Sequence, residues 1–337
     1  MQSTASVMLS SIHVSADVTR ANTSGMLGTW IWEADAPAVQ CAAVSTYRLL
    51  MTLSPQKVRV PPGRTRPACH GYSLTQSYYG EGTAEQAESA SKAANRRSRV
   101  VGGTETDVNE YPWQAGLVRP GGTRTFCGGS VINSRYVLTA AHCTAGASAS
   151  QIQVLLGDHR ISVPDGETRY PVVQILQHPQ FVSASTGYDF SLLRLDRTIV
   201  YDSRVAPVCL PQAGQTYAGV TAVATGFGRV GANMPQADML LEVELPVLTQ
   251  TRCTQIWGSL VRESMICAGG LPSGGKGVCN GDSGGPLVTS VSDRYTLIGL
   301  TSLGSPCANP NTPDVFARVT SALTWIEEST TDAVLCI

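Results

Sequence analysis

The sequence predicts an all-β fold closed by a single terminal helix, and three observations carry that expectation. From residue 100 onward, short β-branched and apolar runs alternate with clusters of Gly, Pro, Asn and Asp. No helical period is sustained until residues 321–330, where Leu323, Trp325 and Ile326 form one apolar stripe. Ten cysteines, at positions 41, 69, 127, 143, 209, 253, 267, 279, 307 and 336, are spread along the chain without a CxxC pair. That spacing fits disulfides in an oxidising compartment better than a zinc site.

Taken in order, residues 1–99 are rich in Ser, Ala and Thr and hold neither period for long, so they read as a largely irregular extension rather than a packed domain. No basic start, apolar run and small-residue cleavage site can be recognised among the first twenty residues. Because the cysteines argue for export, part of residues 1–60 is expected to be an artefact of gene prediction. Asn22-Thr23-Ser24 is a formal glycosylation sequon of low weight. Residues 61–99 read as a linker that ends in the basic run Asn95-Arg96-Arg97-Ser98-Arg99. Directly after it stands Val100-Val101-Gly102-Gly103, and a cut there would create a new α-amino group. Strands are expected over 130–139, 152–156, 170–176, 190–195, 220–225, 240–245, 287–291 and 297–301, then the helix over 321–330.

Charged residues make up 15% of the chain and the net charge is −1. No basic field points to nucleic acid and no polybasic run points to a membrane surface. No apolar run approaches the ~20 residues of a membrane-spanning helix.

The chemistry centres on 277–286, which reads Gly-Val-Cys-Asn-Gly-Asp-Ser-Gly-Gly-Pro. A serine hydroxyl is a weak nucleophile at neutral pH and needs a base to take its proton and donors to hold the oxyanion it creates. In a tight turn the N–H groups of Gly281 and Ser283 could converge on one small volume. His142 ends an apolar run beside Cys143, and Asp189 stands at the entrance to another, where burial without a partner would be costly. If Asp189 accepts from one ring nitrogen of His142, the other faces Ser283, giving base, orienter and nucleophile.

On these residues, 100–337 resembles the chymotrypsin-like serine proteases. The resemblance is carried by Val100-Val101-Gly102-Gly103, Ala140-Ala141-His142-Cys143, Asp189, Gly281-Asp282-Ser283-Gly284-Gly285-Pro286 and Ser302-Leu303-Gly304. It implies two six-stranded antiparallel barrels, roughly 100–215 and 216–318, with the site between them and a C-terminal helix. It also implies that His142, Asp189 and Ser283 are catalytic, that Gly281 and Ser283 form the oxyanion hole, and that Ser302 supports Asp189. Ser302 and Gly304 would pair with substrate backbone. Cleavage between Arg99 and Val100 would let the new α-ammonium pair with Asp282. By position the disulfides Cys127–Cys143, Cys253–Cys267 and Cys279–Cys307 are implied, a further family pair being replaced by Ala222 and Thr289. Cys209 resembles the cysteine that tethers a propeptide, with Cys69 as its expected partner and Cys41 as the alternative; Cys336 is left unassigned.

The specificity pocket departs from trypsin, because Gly277 stands where trypsin carries an aspartate. Gly277, Gly304 and Asp314 together resemble the crustacean brachyurin-type collagenolytic proteases. A carboxylate on the side wall of a roomy pocket would accept Arg or Lys and leave apolar wall for large apolar residues. The loop 157–167 lies where some relatives bind calcium, but Arg160 and Thr168 replace ligands, so neither a metal nor a cofactor is expected.

The expectation is therefore a secreted, monomeric serine endopeptidase made as a zymogen, of broad and digestive specificity. Its partners would be protein or peptide substrates, protein protease inhibitors, and an activating protease or itself, with no nucleic acid or membrane. The alternatives are a narrow regulatory protease of a clotting or immune cascade and a catalytically inactive homologue that serves as a binding module.

Overall fold

A computed structural model describes residues 3–9, 12–18, 101–304 and 307–337. The expectations for Arg99, Val100, Cys41, Cys69 and the Asn22 sequon lie outside the described residues. The chain divides into two compact units, Met1–Ser77 and Tyr78–Ile337. In the first, β1 (Ser3–Leu9) and β2 (Ile12–Val18) pair antiparallel from Ser3↔Val18 to Leu9↔Ile12. This hairpin lies within the extension that the sequence suggested is largely irregular, with Val7, Met8 and Leu9 opposite Val14, His13 and Ile12.

The second unit carries two sheets. A closed barrel is built from β4 (Gln114–Val118), β5 (Thr125–Val131), β6 (Tyr136–Thr139), β7 (Gln153–Leu156), β8 (Thr168–Gln177) and β9 (Ser191–Leu195). Residues 130–139, expected as one strand, are two strand ends folded back on each other. Asn133 causes the reversal, because its side-chain oxygen accepts from the backbone N–H of Arg135 and of Tyr136, each at 2.9 Å. Ser130 then pairs with Leu138 and Val131 with Val137.

The other sheet has seven strands: β3 (Thr104–Glu105), β10 (Thr221–Gly226), β11 (Leu241–Pro246), β12 (Met265–Gly269), β13 (Pro286–Val291), β14 (Arg294–Leu303) and β15 (Pro313–Arg318). Their order is β12-β15-β14-β13-β10-β11-β3. The six strands β10 to β15 are those of the expected second barrel, curled into a ring that is more open than the first. The chain leaving β11 makes one isolated bridge, Val247↔Ala268, back to β12, so the ring closes through a single bridge and β3 is left as an extra edge strand on β11. Alternating burial along β11 marks its inner face, on which Leu241, Val243 and Leu245 are buried.

The chain's ends cross between the halves. β3 belongs to the second sheet, whereas helix α3 (Leu323–Ser329) buries Leu323 and Ile326 in the core that holds Leu138, Phe190 and Leu192 of the first barrel. Trp325 of α3 lies edge-on to His178 of the first half, with ring centroids 5.0 Å apart. Beyond the helix, Asp332 pairs with Arg194 at 2.8 Å and the Cys336 carbonyl accepts from Leu210 N–H at 2.7 Å.

That return of the tail corrects one disulfide. Cys209 is joined to Cys336, not to Cys69. The docked tail delivers Cys336 beside Cys209, and the bond spans 127 residues, a separation at which a cross-link stabilises by roughly 4–5 kcal/mol on chain-entropy grounds. The other bonds are Cys127–Cys143, Cys253–Cys267 and Cys279–Cys307. All eight cysteines among the described residues are thus paired, and only Cys41 and Cys69 remain. After cleavage at Arg99, the N-terminal segment is expected to separate from 100–337 on a non-reducing gel. A single band that splits only under reductant would contradict this pairing.

Candidate active site

His142 sits in a one-turn helix, α1 (Ala141–Thr144), at the end of β6. The turn is anchored from behind: the Gln177 side-chain amide donates to the Ala141 carbonyl at 3.1 Å and to Thr144 Oγ1 at 2.9 Å, and Thr144 Oγ1 donates to Ser191 Oγ at 3.0 Å. Asp189, 1% exposed, precedes β9. Its Oδ1 accepts from the His142 backbone N–H at 2.8 Å, and its Oδ2 faces His142 Nδ1 at 2.7 Å. An acceptor-only carboxylate there puts the proton on Nδ1 and leaves Nε2 free to accept one. Ser302 Oγ donates to the same Oδ2 at 2.5 Å, so a buried acid that would be costly alone is fully engaged.

Ser283 arrives from the second half. The disulfide sulfur Cys143 Sγ lies 3.7 Å from His142 Nε2 and 3.5 Å from the Ser283 carbonyl oxygen, so the ring and the serine backbone flank one atom. The Ser283 carbonyl accepts from Gly128 N–H at 2.7 Å, which ties the serine loop to β5. Among the described residues no hydrogen bond joins Ser283 Oγ to His142 Nε2, a contact that often tightens only when substrate is bound.

Around the serine, Asp282 N–H donates to the Cys279 carbonyl, Gly284 N–H to Thr301 and Gly285 N–H to Asp282. Among the described residues no protein acceptor takes the N–H of Gly281 or of Ser283, so both remain available to an incoming oxyanion. Gly281 has φ +101°, a conformation that side chains disfavour, and a Cβ there would press on Gly228.

Asp282 points away from this volume and is 2% exposed. Its Oδ1 accepts from Gly228 N–H at 2.7 Å and its Oδ2 from Cys279 N–H at 2.9 Å. Burial pushes its carboxyl up to about 6 despite those two amides. Just after the expected cut, Val101 already bridges Gly277, whose N–H donates to the Val101 carbonyl at 3.2 Å. Gly102, at φ +72°, packs so closely on Gly275 that no side chain would fit.

The Asp314 carboxylate occupies the space that a side chain at Gly277 would fill. A Cβ on Gly277 would lie 2.6 Å from Asp314 Oδ2, and one on Gly304 would lie 3.7 Å from Oδ1. Oδ2 accepts from Val278 N–H at 3.0 Å. Gly277, Gly304 and Asp314 are thus brought together at one end of β15. The residue is 3% exposed, and burial, opposed by the Val278 amide and reinforced by Asp282, raises its carboxyl to about 7.

The family profile described as Trypsin matches residues 100–326, about two thirds of the chain. This chain belongs to the trypsin family. It is also similar to the clotting factor G beta subunit of Tachypleus tridentatus, 34% identical over 250 residues that cover 69% of this chain and 80% of that protein.

In this trypsin-family domain, several positioning residues had escaped the sequence reading. Gly226 and Gly228 form the cradle of Asp282, since a Cβ on either would collide with its carboxylate. Their spacing in Gly226-Phe227-Gly228 is a signal, but a weak one without a known partner. His178 stacks on Tyr188 at 4.7 Å between ring centroids and holds that residue at φ 50°, immediately before Asp189. Gln177 carries no motif and could not have been found.

In the loop 157–167, the Arg160 guanidinium ends on Met239 Sδ at 2.9 Å. Asp165 accepts from His159 N–H and Arg160 N–H, and Glu167 accepts from Asp165 N–H. Asp158 is raised by burial and by these two neighbouring acids to about 7. At Cys127, His142 and Cys143, whose ligand atoms cluster, both sulfurs are oxidised in the disulfide and offer no thiolate to a metal.

Proposed function

We propose that this chain is the zymogen of a secreted serine endopeptidase, activated by cleavage after Arg99 and of broad preference at the residue before the cut. The observation that carries the reading is the hydrogen-bonded chain from Ser302 through the buried Asp189 to His142, with the Ser283 backbone and the His142 ring flanking the same Cys143 sulfur. In the first step Ser283 Oγ attacks the scissile carbonyl carbon while its proton passes to His142 Nε2. Asp189 holds the ring in the Nδ1–H tautomer and balances the imidazolium that forms. The N–H groups of Gly281 and Ser283 hold the oxyanion, each worth roughly 3 kcal/mol. His142 returns the proton to the leaving amine, and water, deprotonated by the same ring, hydrolyses the acyl-serine.

The triple of Gly277, Gly304 and Asp314 supports a pocket like that of the brachyurins, taking Arg and Lys on the carboxylate and Leu, Met, Phe or Tyr on apolar wall. That breadth suits a digestive role. A narrow cascade protease is the second reading, favoured by the likeness to a protein described as a clotting factor subunit. Four disulfides within the domain support a location outside the cell.

The test is to cut the chain at Arg99, label it with an organophosphorus serine reagent, and measure kcat/KM on matched peptides with Arg, Leu or Phe before the scissile bond. Labelling and cleavage of all three support the reading. Cleavage after Arg alone, in one sequence context, favours the cascade protease, and absence of labelling favours an inactive homologue.

A further inference from the structure

Asp314 and Asp282 are held by successive amides of one segment. Val278 N–H donates to Asp314 and Cys279 N–H to Asp282, and successive N–H groups of extended backbone point to opposite sides. Two buried acids thus flank a single stretch of main chain, one in the specificity pocket and one at the activation contact. Resting on the protease reading above, we propose that pH selects the substrate class of this enzyme, with a protonated Asp314 making the pocket apolar and an ionised Asp314 making it a receptor for Arg or Lys.

Among the described residues, none supplies Asp314 with a counter-ion. On its own strand, β15, the next charged residue is Arg318, whose guanidinium donates to the carbonyls of Glu263 and Met265 and to Gln250. Strand β12, paired to it as Met-Ile-Cys-Ala-Gly, has no charged residue. From β14 and its exit, Ser302, Leu303 and Gly304 bring none. In the loop 274–282, the exposed Lys276 runs its side chain along Gly102, and in the uncut chain Asp282 is the one charge among the described residues that acts on Asp314, in the sense that keeps it protonated; once Asp282 pairs with the new α-ammonium, burial alone carries that bias. Burial in the absence of a cation favours the neutral acid. An arginine or lysine entering the pocket supplies the missing cation, but only to the ionised form. A leucine meets no such requirement and is better served by the neutral one.

The experiment uses the chain cut at Arg99 and two peptides that differ only in Arg or Leu before the scissile bond. The readout is the ratio of their kcat/KM values from pH 5 to pH 9. Protonation of His142 affects both substrates alike and cancels in the ratio, which reports the pocket of the free enzyme. The ratio of Arg to Leu is expected to rise at least about tenfold between pH 5 and pH 8 and then level off, as a single carboxyl titrates. Asp314→Asn is expected to flatten the curve. Should that variant fail to fold, benzamidine, a small amidinium, supplies the same test on the native protein, its Ki falling over the same pH interval. A flat ratio or a Ki independent of pH, in an enzyme that cleaves both peptides, overturns this proposal and leaves the protease reading intact. Failure to cleave either peptide overturns both.

Discussion

Arg99→Gln, made in the full chain, is expected to yield a folded, uncut protein at least about 10²-fold less active than the chain cut at Arg99. The reason lies at Asp282. In the uncut chain its carboxylate has two backbone amides and no cation among the described residues, in a cradle formed by Gly226 and Gly228. The same loop carries the N–H groups of Gly281 and Ser283, so an unsettled Asp282 leaves the oxyanion site without firm support. Cleavage would add an α-ammonium two residues from Gly102, whose chain is already docked against Gly275 and Gly277. The pH dependence has a definite sign. A carboxyl raised from 3.8 to about 6 favours its neutral form in the fold. The stability it allows is fully present below the unfolded value near pH 3.8 and is lost as pH rises through about 6. The loss amounts to about 3 kcal/mol for this fully buried group. The uncut chain should therefore show a Tm that falls between pH 4 and pH 7, whereas the cut chain, with Asp282 paired, should not show that fall. High activity from the uncut Arg99→Gln chain, or identical Tm profiles for the two forms, would remove this account of activation.

Ser283→Ala in the cut chain is expected to lower kcat by about 10⁶ and to abolish covalent labelling by an organophosphorus reagent. His142→Ala should cost about as much, and the double variant little more, because nucleophile and base act as a unit. An unchanged Tm and unchanged binding of a competitive inhibitor separate this loss from a folding defect, since a folded Ser283→Ala chain still presents its pocket. If the two losses were independent and multiplied, the placement of both residues in one proton-transfer unit would be wrong.

Much of the site could be read from the chain because its chemistry is local in sequence. A serine between Gly281 and Gly284, a histidine beside a cysteine and an aspartate before an apolar run each sit in a short pattern with a physical reason. The Asp189 contacts needed only that His142 and Ser302 reach the same buried acid. What could not be read depends on distant partners. Cys336 finds Cys209 only because α3 docks the tail, and no spacing rule carries that information across 127 residues. The turn at Asn133 lies where Asn133-Ser134-Arg135 briefly interrupts two apolar runs, and a side chain there replaces the usual glycine signal. Helix α2 (Gln250–Trp257), capped by Thr249 through Arg252 N–H, buries only Cys253 and so shows no apolar stripe. Asp314 was legible as an acid in an unusual place, but its position against Gly277 required the register of β12 with β15.

The crossing of the chain's ends bears on how the molecule could be taken apart. The segment that follows the proposed cut is laced into the half that carries Ser283, and the last helix is laced into the half that carries His142 and Asp189. Neither half is a contiguous stretch of chain that could be expressed alone with its own core intact. Duplication or recombination at the midpoint would strand a strand on one side and a helix on the other. Any exchange of one half for another would have to carry a strand or a helix with it from the far end of the chain.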